Sequence, residues 1–73
     1  MPKEVSYNIV ETLMVLPATG TWHKELNLVS WNDKPAKYDL RNWNEDRSQM
    51  GKGITLTKEE LATLKERLGG IEL

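Results

Sequence analysis

Met50-Gly51-Lys52-Gly53-Ile54-Thr55-Leu56-Thr57-Lys58-Glu59-Glu60-Leu61-Ala62-Thr63-Leu64-Lys65-Glu66-Arg67-Leu68 is where the hydrophobic period of this chain changes. Through Leu56 the apolar positions alternate, as in a strand, and Gly51 and Gly53 suggest a bulge or a close approach of backbones. Thr57 and Glu60 then fit a capping box, with Thr57 as N-cap and Glu60 reaching back. Beyond it Leu61, Leu64 and Leu68 recur at helical spacing, and Gly69-Gly70 ends the run. The spacing predicts a strand over 50–56 and a helix over 58–68.

Upstream of this junction everything reads as strand and turn. Residues 5–16 are β-branched and aromatic and roughly alternate, with Tyr7, Ile9, Leu13 and Val15 at odd positions; the pattern blurs near Glu11-Thr12, which predicts a bulge there. Pro17-Ala18-Thr19-Gly20 is a turn signal, and residues 22–31 form the next strand. Asn32-Asp33-Lys34-Pro35 is turn chemistry: the Asx side chains can close an Asx-type turn and proline fixes φ. Residues 36–43 alternate cleanly, and Asn44–Gln49 is a polar loop. Four strands and then one helix make an α+β domain over residues 1–73, with the helix on one face of the sheet.

Parity sorts the two faces. Leu26, Leu28, Tyr38, Leu40, Ile54 and Leu56 share one face, expected as core beneath Leu61, Leu64 and Leu68. Asn27, Val29, Trp31, Lys37, Asp39, Arg41 and Trp43 share the other. One helix cannot cover both, so an aromatic, basic and amide face is expected to be open, and large exposed aromatics call for a reason. Unpaired bases stack on flat aromatics while Lys and Arg track phosphates, so this face reads as a surface for single-stranded nucleic acid. Trp31, at a strand end beside a polar turn, is the leading stacking candidate. Trp22 and Trp43 stand equally as ligand contacts or as rim and dimer packing. Lys24, Lys37, Arg41 and Lys52 would supply the phosphate contacts, Asn27 an amide, and Met50 a flexible apolar contact to a base. Asp39 lies between Lys37 and Arg41 on the same face; it could orient Arg41 through a bidentate ion pair, but is read first as a structural cross-strand partner.

Composition sets the remaining bounds. The chain has 73 residues, 38 % of them apolar and 29 % charged, with 10 Lys plus Arg against 11 Asp plus Glu. That is an ordinary folded composition, without the basic excess of a typical duplex binder. Segment 20–56 holds six basic residues against five acidic ones, so a phosphate site must come from placement rather than bulk charge. There is no cysteine and a single histidine, His23, which excludes a disulfide framework and thiol chemistry and gives no reason to expect a metal or any other cofactor. His23 itself reads as a strand-surface residue. No nucleophile–base pair is suggested, so no enzyme and no small-molecule substrate are expected. No apolar run is long enough to span a membrane and no signal segment is visible, so a cytoplasmic, nucleoid-associated location is expected. A core this small, with no disulfide or metal to brace it, favours association with a second copy.

Three stretches together resemble a known family. They are Tyr38-Asp39-Leu40-Arg41-Asn42-Trp43, then Met50-Gly51-Lys52-Gly53-Ile54-Thr55-Leu56-Thr57, then the Glu- and Leu-rich helix. The pattern resembles the single-stranded-DNA-binding domain of the positive cofactor four family of transcriptional coactivators, above all its small bacterial, YdbC-type members, over residues 22–68. The resemblance implies a four-stranded antiparallel curved β-sheet followed by one C-terminal helix, a homodimer, and concave surfaces that bind single-stranded DNA with little sequence preference. It places Trp31 at the family's stacking aromatic, Arg41 at its phosphate-binding arginine and Lys52 at its lysine before Gly-Ile. Lys24 and Lys37 fall at its basic positions on the second and third strands, and Trp43 at an aromatic after the arginine. RNA is a second ligand to consider, and a dimeric protein-interaction module using the same Trp-rich face is the alternative reading.

Overall fold

The computed structural model describes residues 6–18 and 20–73. The expected first residue of the first strand, Val5, and Thr19 of the first turn lie outside the described residues. Among the described residues four strands, β1 (Tyr7–Val15), β2 (Trp22–Trp31), β3 (Lys37–Asn44) and β4 (Met50–Leu56), precede one helix, α1 (Lys58–Leu68). They form a single antiparallel sheet in the order β1-β2-β3-β4.

Local chemistry sets each junction. Asn32 and Asp33 both have positive φ, 50° and 60°, and the Lys34 N–H donates to the Trp31 carbonyl at 2.9 Å. This is a type I′ turn, whose twist suits a hairpin, and not the Asx turn expected from the sequence. The Asn32 side chain instead accepts from the Ser6 N–H at 3.1 Å, tying the start of β1 to the hairpin. Thr57 and Glu60 form the capping box in both directions: the Glu60 N–H donates to Thr57 Oγ1 at 3.1 Å and the Thr57 N–H to Glu60 Oε1 at 2.9 Å. Gly69 follows in right-handed helical conformation, so the helix ends without a left-handed residue.

The blurred pattern in β1 resolves into two bulges. Ile9 pairs with Val29 but Glu11 with Leu28, and Thr12 pairs with Asn27 but Met14 with Leu26. Val10 and Leu13 are each inserted, so Tyr7, Ile9, Thr12 and Val15 share one face, in place of the strictly odd set that included Leu13. A further bulge lies in β4, where Gly51 and Lys52 stand opposite Asn42. At the next pair a Cβ on Gly53 would sit 2.5 Å from the Leu40 carbonyl oxygen and 2.6 Å from Arg41 Cβ, so the backbones approach as closely as glycine permits.

The sheet is strongly curved. Trp43 pairs with His23, eight positions along β2 from Trp31, which would put the two tryptophans about 26 Å apart in a flat sheet. The Tyr7 ring nonetheless lies 5.8 Å from both indoles. The face carrying Tyr7, Trp31 and Trp43 is therefore concave, and the sheet closes on its own side chains. This reverses the expected core. Val29, Trp43, Glu25, Asn27 and Asp39 are fully buried and all belong to the concave face. The Leu face is only half-buried: α1 approaches β3 and β4 alone, no helix residue is buried, and Ile54 and Leu68 are 54 % and 52 % exposed. Parity separated the faces of β2 and β3 correctly, but curvature and not the helix decides which one is buried in this protomer.

Candidate nucleic-acid interface

Two buried carboxylates organise the concave face, each clasped by an arginine. In β3, Asp39 accepts from Arg41 Nε and Nη2, both at 3.0 Å, in a bidentate pair. Thr55 Oγ1 of β4 adds a third bond to Asp39 at 3.3 Å, and Arg41 Nη1 donates to the Gly51 carbonyl at 3.0 Å. Arg41 is thus fixed by three hydrogen bonds to two partners while two of its five N–H donors remain uncommitted, and its side chain stays 18 % exposed. Its guanidinium carbon lies 5.2 Å from the Trp31 ring centroid, a cation–π contact. Tyr7 packs tilted at 45° against the same indole.

The second clasp was not anticipated. Glu25 of β2 is met by Arg47 Nη2 at 2.6 Å and Nε at 3.1 Å, by His23 Nε2 at 2.5 Å and by Asn27 Nδ2 at 3.2 Å. Burial by itself would raise the Glu25 carboxyl, but hydrogen bonds from Arg47, His23 and Asn27 outweigh it and hold the group below the ordinary glutamate value. Arg47 reaches the site because the β3–β4 loop turns sharply. Arg47 adopts φ 63°, its N–H donates to the Asn44 carbonyl at 3.1 Å, and Asn44 Oδ1 accepts from the Gln49 N–H at 3.0 Å. Arg47 Nη2 also meets Thr12 Oγ1 of β1 at 3.1 Å, so one side chain straps the hairpin loop across β2 to β1. In the same loop the exposed Asp46 carboxyl is held low by hydrogen bonds from the Ser48 side chain and backbone.

The expected site residues therefore separate. Trp31 and Arg41 come together, Asp39 takes both roles considered for it, with the bidentate pair to Arg41 joined by the cross-strand bond from Thr55, and Lys37 stands exposed on the same face, opposite Val29. Trp43 and Asn27 belong to this face but are fully buried, so they form its floor and offer no contact surface. Met50 pairs with Trp43 and is half-buried. Lys52 is exposed in the β4 bulge, at the sheet edge. Lys24 is the clear departure: it shares the convex face with Leu26 and donates from Nζ to Asn42 Oδ1 at 3.2 Å, so it does not join Arg41 in one groove. His23 is half-buried against Glu25 and is not a free surface residue. Sequence reasoning missed Tyr7, Glu25 and Arg47. The run His23, Glu25, Asn27 at period two carried the signal for Glu25; nothing local marked Arg47.

The resulting surface has two layers. Trp43, Asn27, Glu25 and Asp39 lie beneath, and Tyr7, Trp31, Arg41 and Arg47 lie above, with both buried acids neutralised. Among the described residues, the buried side-chain polar atoms without a protein partner are Asn27 Oδ1, Trp31 Nε1 and Trp43 Nε1, all on this face. No described helix is long and apolar enough to cross a membrane.

An open, curved sheet with arginine-stacked aromatics on its concave side has the chemistry of a nucleic-acid-binding module. The pattern of the transcriptional coactivator p15 (PC4) family matches residues 19–67. An uncharacterized protein of Treponema pallidum (strain Nichols) is 41 % identical over 68 residues, covering 92 % of this chain and 80 % of that protein. The chain belongs to the PC4 family, and this membership supports a nucleic-acid-binding, coactivator-like role.

Proposed function

We propose that this protein binds single-stranded DNA, with little sequence preference, on the concave face of its sheet. The observation that carries the reading is the Arg41–Trp31–Tyr7 arrangement: a cation 5.2 Å from an indole that also packs on a phenol ring, on a face that α1 leaves open. Stacking on Tyr7 and Trp31 uses the π-faces common to all bases, so it carries little sequence information. The free donors of Arg41, the outward part of Arg47 and the Lys37 ammonium meet phosphates along the strand. Neutralised by their arginines, Glu25 and Asp39 repel the strand less than their number suggests. A duplex keeps its bases paired and stacked, and this shallow face has no projecting helix to enter a major groove. Single-stranded RNA presents the same π-faces and is the second ligand to compare.

A homodimer completes this reading. The radius of gyration is 13.5 Å, against about 11 Å for a compact domain of this length. Ile54, Leu56 and Leu64 line an apolar groove of about 510 Å³ between β4 and α1, and a second copy would cover it. Sedimentation equilibrium checks this directly, and an 8.4 kDa species at tens of micromolar would contradict it.

The decisive experiment is fluorescence anisotropy with labelled single-stranded and duplex DNA of equal length at one salt concentration. Tighter binding of the single strand is expected, and equal affinity refutes the reading. Repeating the titration over a salt series separates phosphate binding, which weakens linearly in log salt, from an apolar protein-interaction surface, which does not.

A further inference from the structure

We infer that Trp22 is a second stacking station for an unpaired base, on the convex side of the sheet, with Lys24 holding the neighbouring phosphate. The inference rests on the single-strand reading above and extends the path of the strand beyond the concave face.

Trp22 begins β2 and is 38 % exposed, with one edge against β4, where a Cβ on Gly51 would lie 3.4 Å from its Cζ3. Depressions of about 470 Å³ flank it on two sides. The two differ in charge. The first is lined by Thr21, Asn44, Gln49 and the acids Glu45 and Asp46, with no Lys or Arg. The second is lined by Leu16, Pro17, His23, Lys24 and Asn42, with no acid. A phosphate is therefore drawn to the second side. There Asn42 Oδ1 anchors Lys24 Nζ at 3.2 Å, leaving ammonium donors for a phosphate and the Asn42 amide nitrogen for a base edge. Leu16 and Pro17 supply an apolar wall for a stacked base or its sugar.

The position also connects to the first site. Trp22 and His23 are consecutive residues on opposite faces of β2, and His23 lies on the concave face beside Glu25. A strand leaving the concave groove at this end passes over the sheet edge onto Trp22. Tyr7 bridges Trp31 to Trp43 on the concave side and Trp22 lies past Trp43 at the end of β2, so only a strand long enough to leave the groove reaches it. This also gives Lys24 a function that its face denies it in the groove of Arg41.

The test compares wild-type protein with Trp22→Leu and Trp22→Phe on oligothymidines of about 5 and about 16 nucleotides, which bracket the usual size of a single-strand site. Leucine keeps apolar packing without a π-face, whereas phenylalanine keeps the π-face. Trp22→Leu is expected to weaken binding of the longer strand at least about fivefold and to leave the shorter one unchanged. Trp22→Phe should stay within about twofold of wild type on both, by the same stacking argument. Lys24→Ala should lower the slope of log affinity against log salt by about 0.7, for the longer strand alone. Unchanged binding of the longer strand by Trp22→Leu overturns the inference. So does an equal loss on both lengths, or a Trp22→Phe loss matching that of Trp22→Leu, since either assigns Trp22 to packing. A wild-type protein that binds neither oligonucleotide refutes the single-strand reading itself. Binding that fails only in the Trp31→Ala control, and not in Trp22→Leu, leaves that reading standing and removes this one.

Discussion

Replacing Arg41 by methionine should cost this fold more than it costs any surface, because Asp39 beneath it is fully buried. Asp39 accepts three hydrogen bonds, two of them from Arg41 at 3.0 Å and the third from Thr55 at 3.3 Å. Methionine keeps the apolar stem against Trp31 but leaves a buried carboxylate with one long bond. Breaking a buried ion pair from one side typically costs about 3–5 kcal/mol. A domain of 73 residues has only about 4–11 kcal/mol in total, so the single variant should lie near the edge of folding. Removing the stranded charge as well, in Asp39→Val/Arg41→Met, should recover at least about 2 kcal/mol, because both the charge and its need for a partner are gone. Urea titrations of wild type, both singles and the double at one protein concentration measure the cycle through their midpoints and slopes. If Arg41→Met loses less than about 1 kcal/mol, or the double is no more stable than that single, then Asp39 does not depend on Arg41. The cycle bears on function too. A loss of DNA binding in an Arg41 variant is informative about phosphate contact only in a background where the fold is shown to persist.

Three other expectations follow from the same face. Trp31→Ala should weaken single-strand binding by about 1–3 kcal/mol with little change in salt slope, whereas Lys37→Ala should lower the slope by about 0.7; anisotropy over a salt series reads both. Glu25 ionises in the folded protein below its ordinary value of 4.5, so its contribution to stability is fully present above that pH and disappears as pH falls through the depressed folded value. Acid titration of tryptophan fluorescence should show this loss, and Glu25→Gln should flatten that limb of the curve. Gly53→Ala would press a methyl group to 2.5 Å from the Leu40 carbonyl and 2.6 Å from Arg41 Cβ, so thermal melting should show a clear destabilisation, whereas Gly20→Ala meets no atom within 4 Å and should show only the strain of its positive φ.

Much of the architecture was legible from local pattern. The shift in period at Thr57 located the helix, and the capping box appears as written in the residues. Gly51 and Gly53 announced the β4 bulge, and the loss of alternation near Glu11 announced those of β1. What could not be read was long-range. Alternation says which side chains share a face, but the bending that brings Trp43 within reach of Tyr7 is a property of all four strands together. An aromatic face read as wholly open therefore proved to have a buried floor, with Trp43 and Asn27 beneath the accessible Tyr7 and Trp31. Arg47 escaped notice for a related reason: its partner Glu25 is 22 residues away, and only the sharp turn at φ 63° directs it there. Lys24 teaches the reverse lesson. Its even position in an unbulged strand already placed it on the other face from Arg41, and grouping the basic residues by charge alone set aside a face assignment that parity had supplied.

The paired insertions in β1 bear on what this molecule avoids becoming. An unclosed sheet ends in strands whose outer N–H and C=O groups can recruit another chain, and β1 is such a strand, with Val10, Leu13, Met14 and Val15 all exposed. A straight, regular strand of that composition would be a template for fibril growth. Because Val10 and Leu13 each break the ladder, no long stretch of β1 offers an uninterrupted row of donors and acceptors at strand spacing. The irregularity that obscured the sequence pattern thus also guards solubility: a chain lacking both inserted residues would present a flatter, better-ordered border and a greater tendency to polymerise.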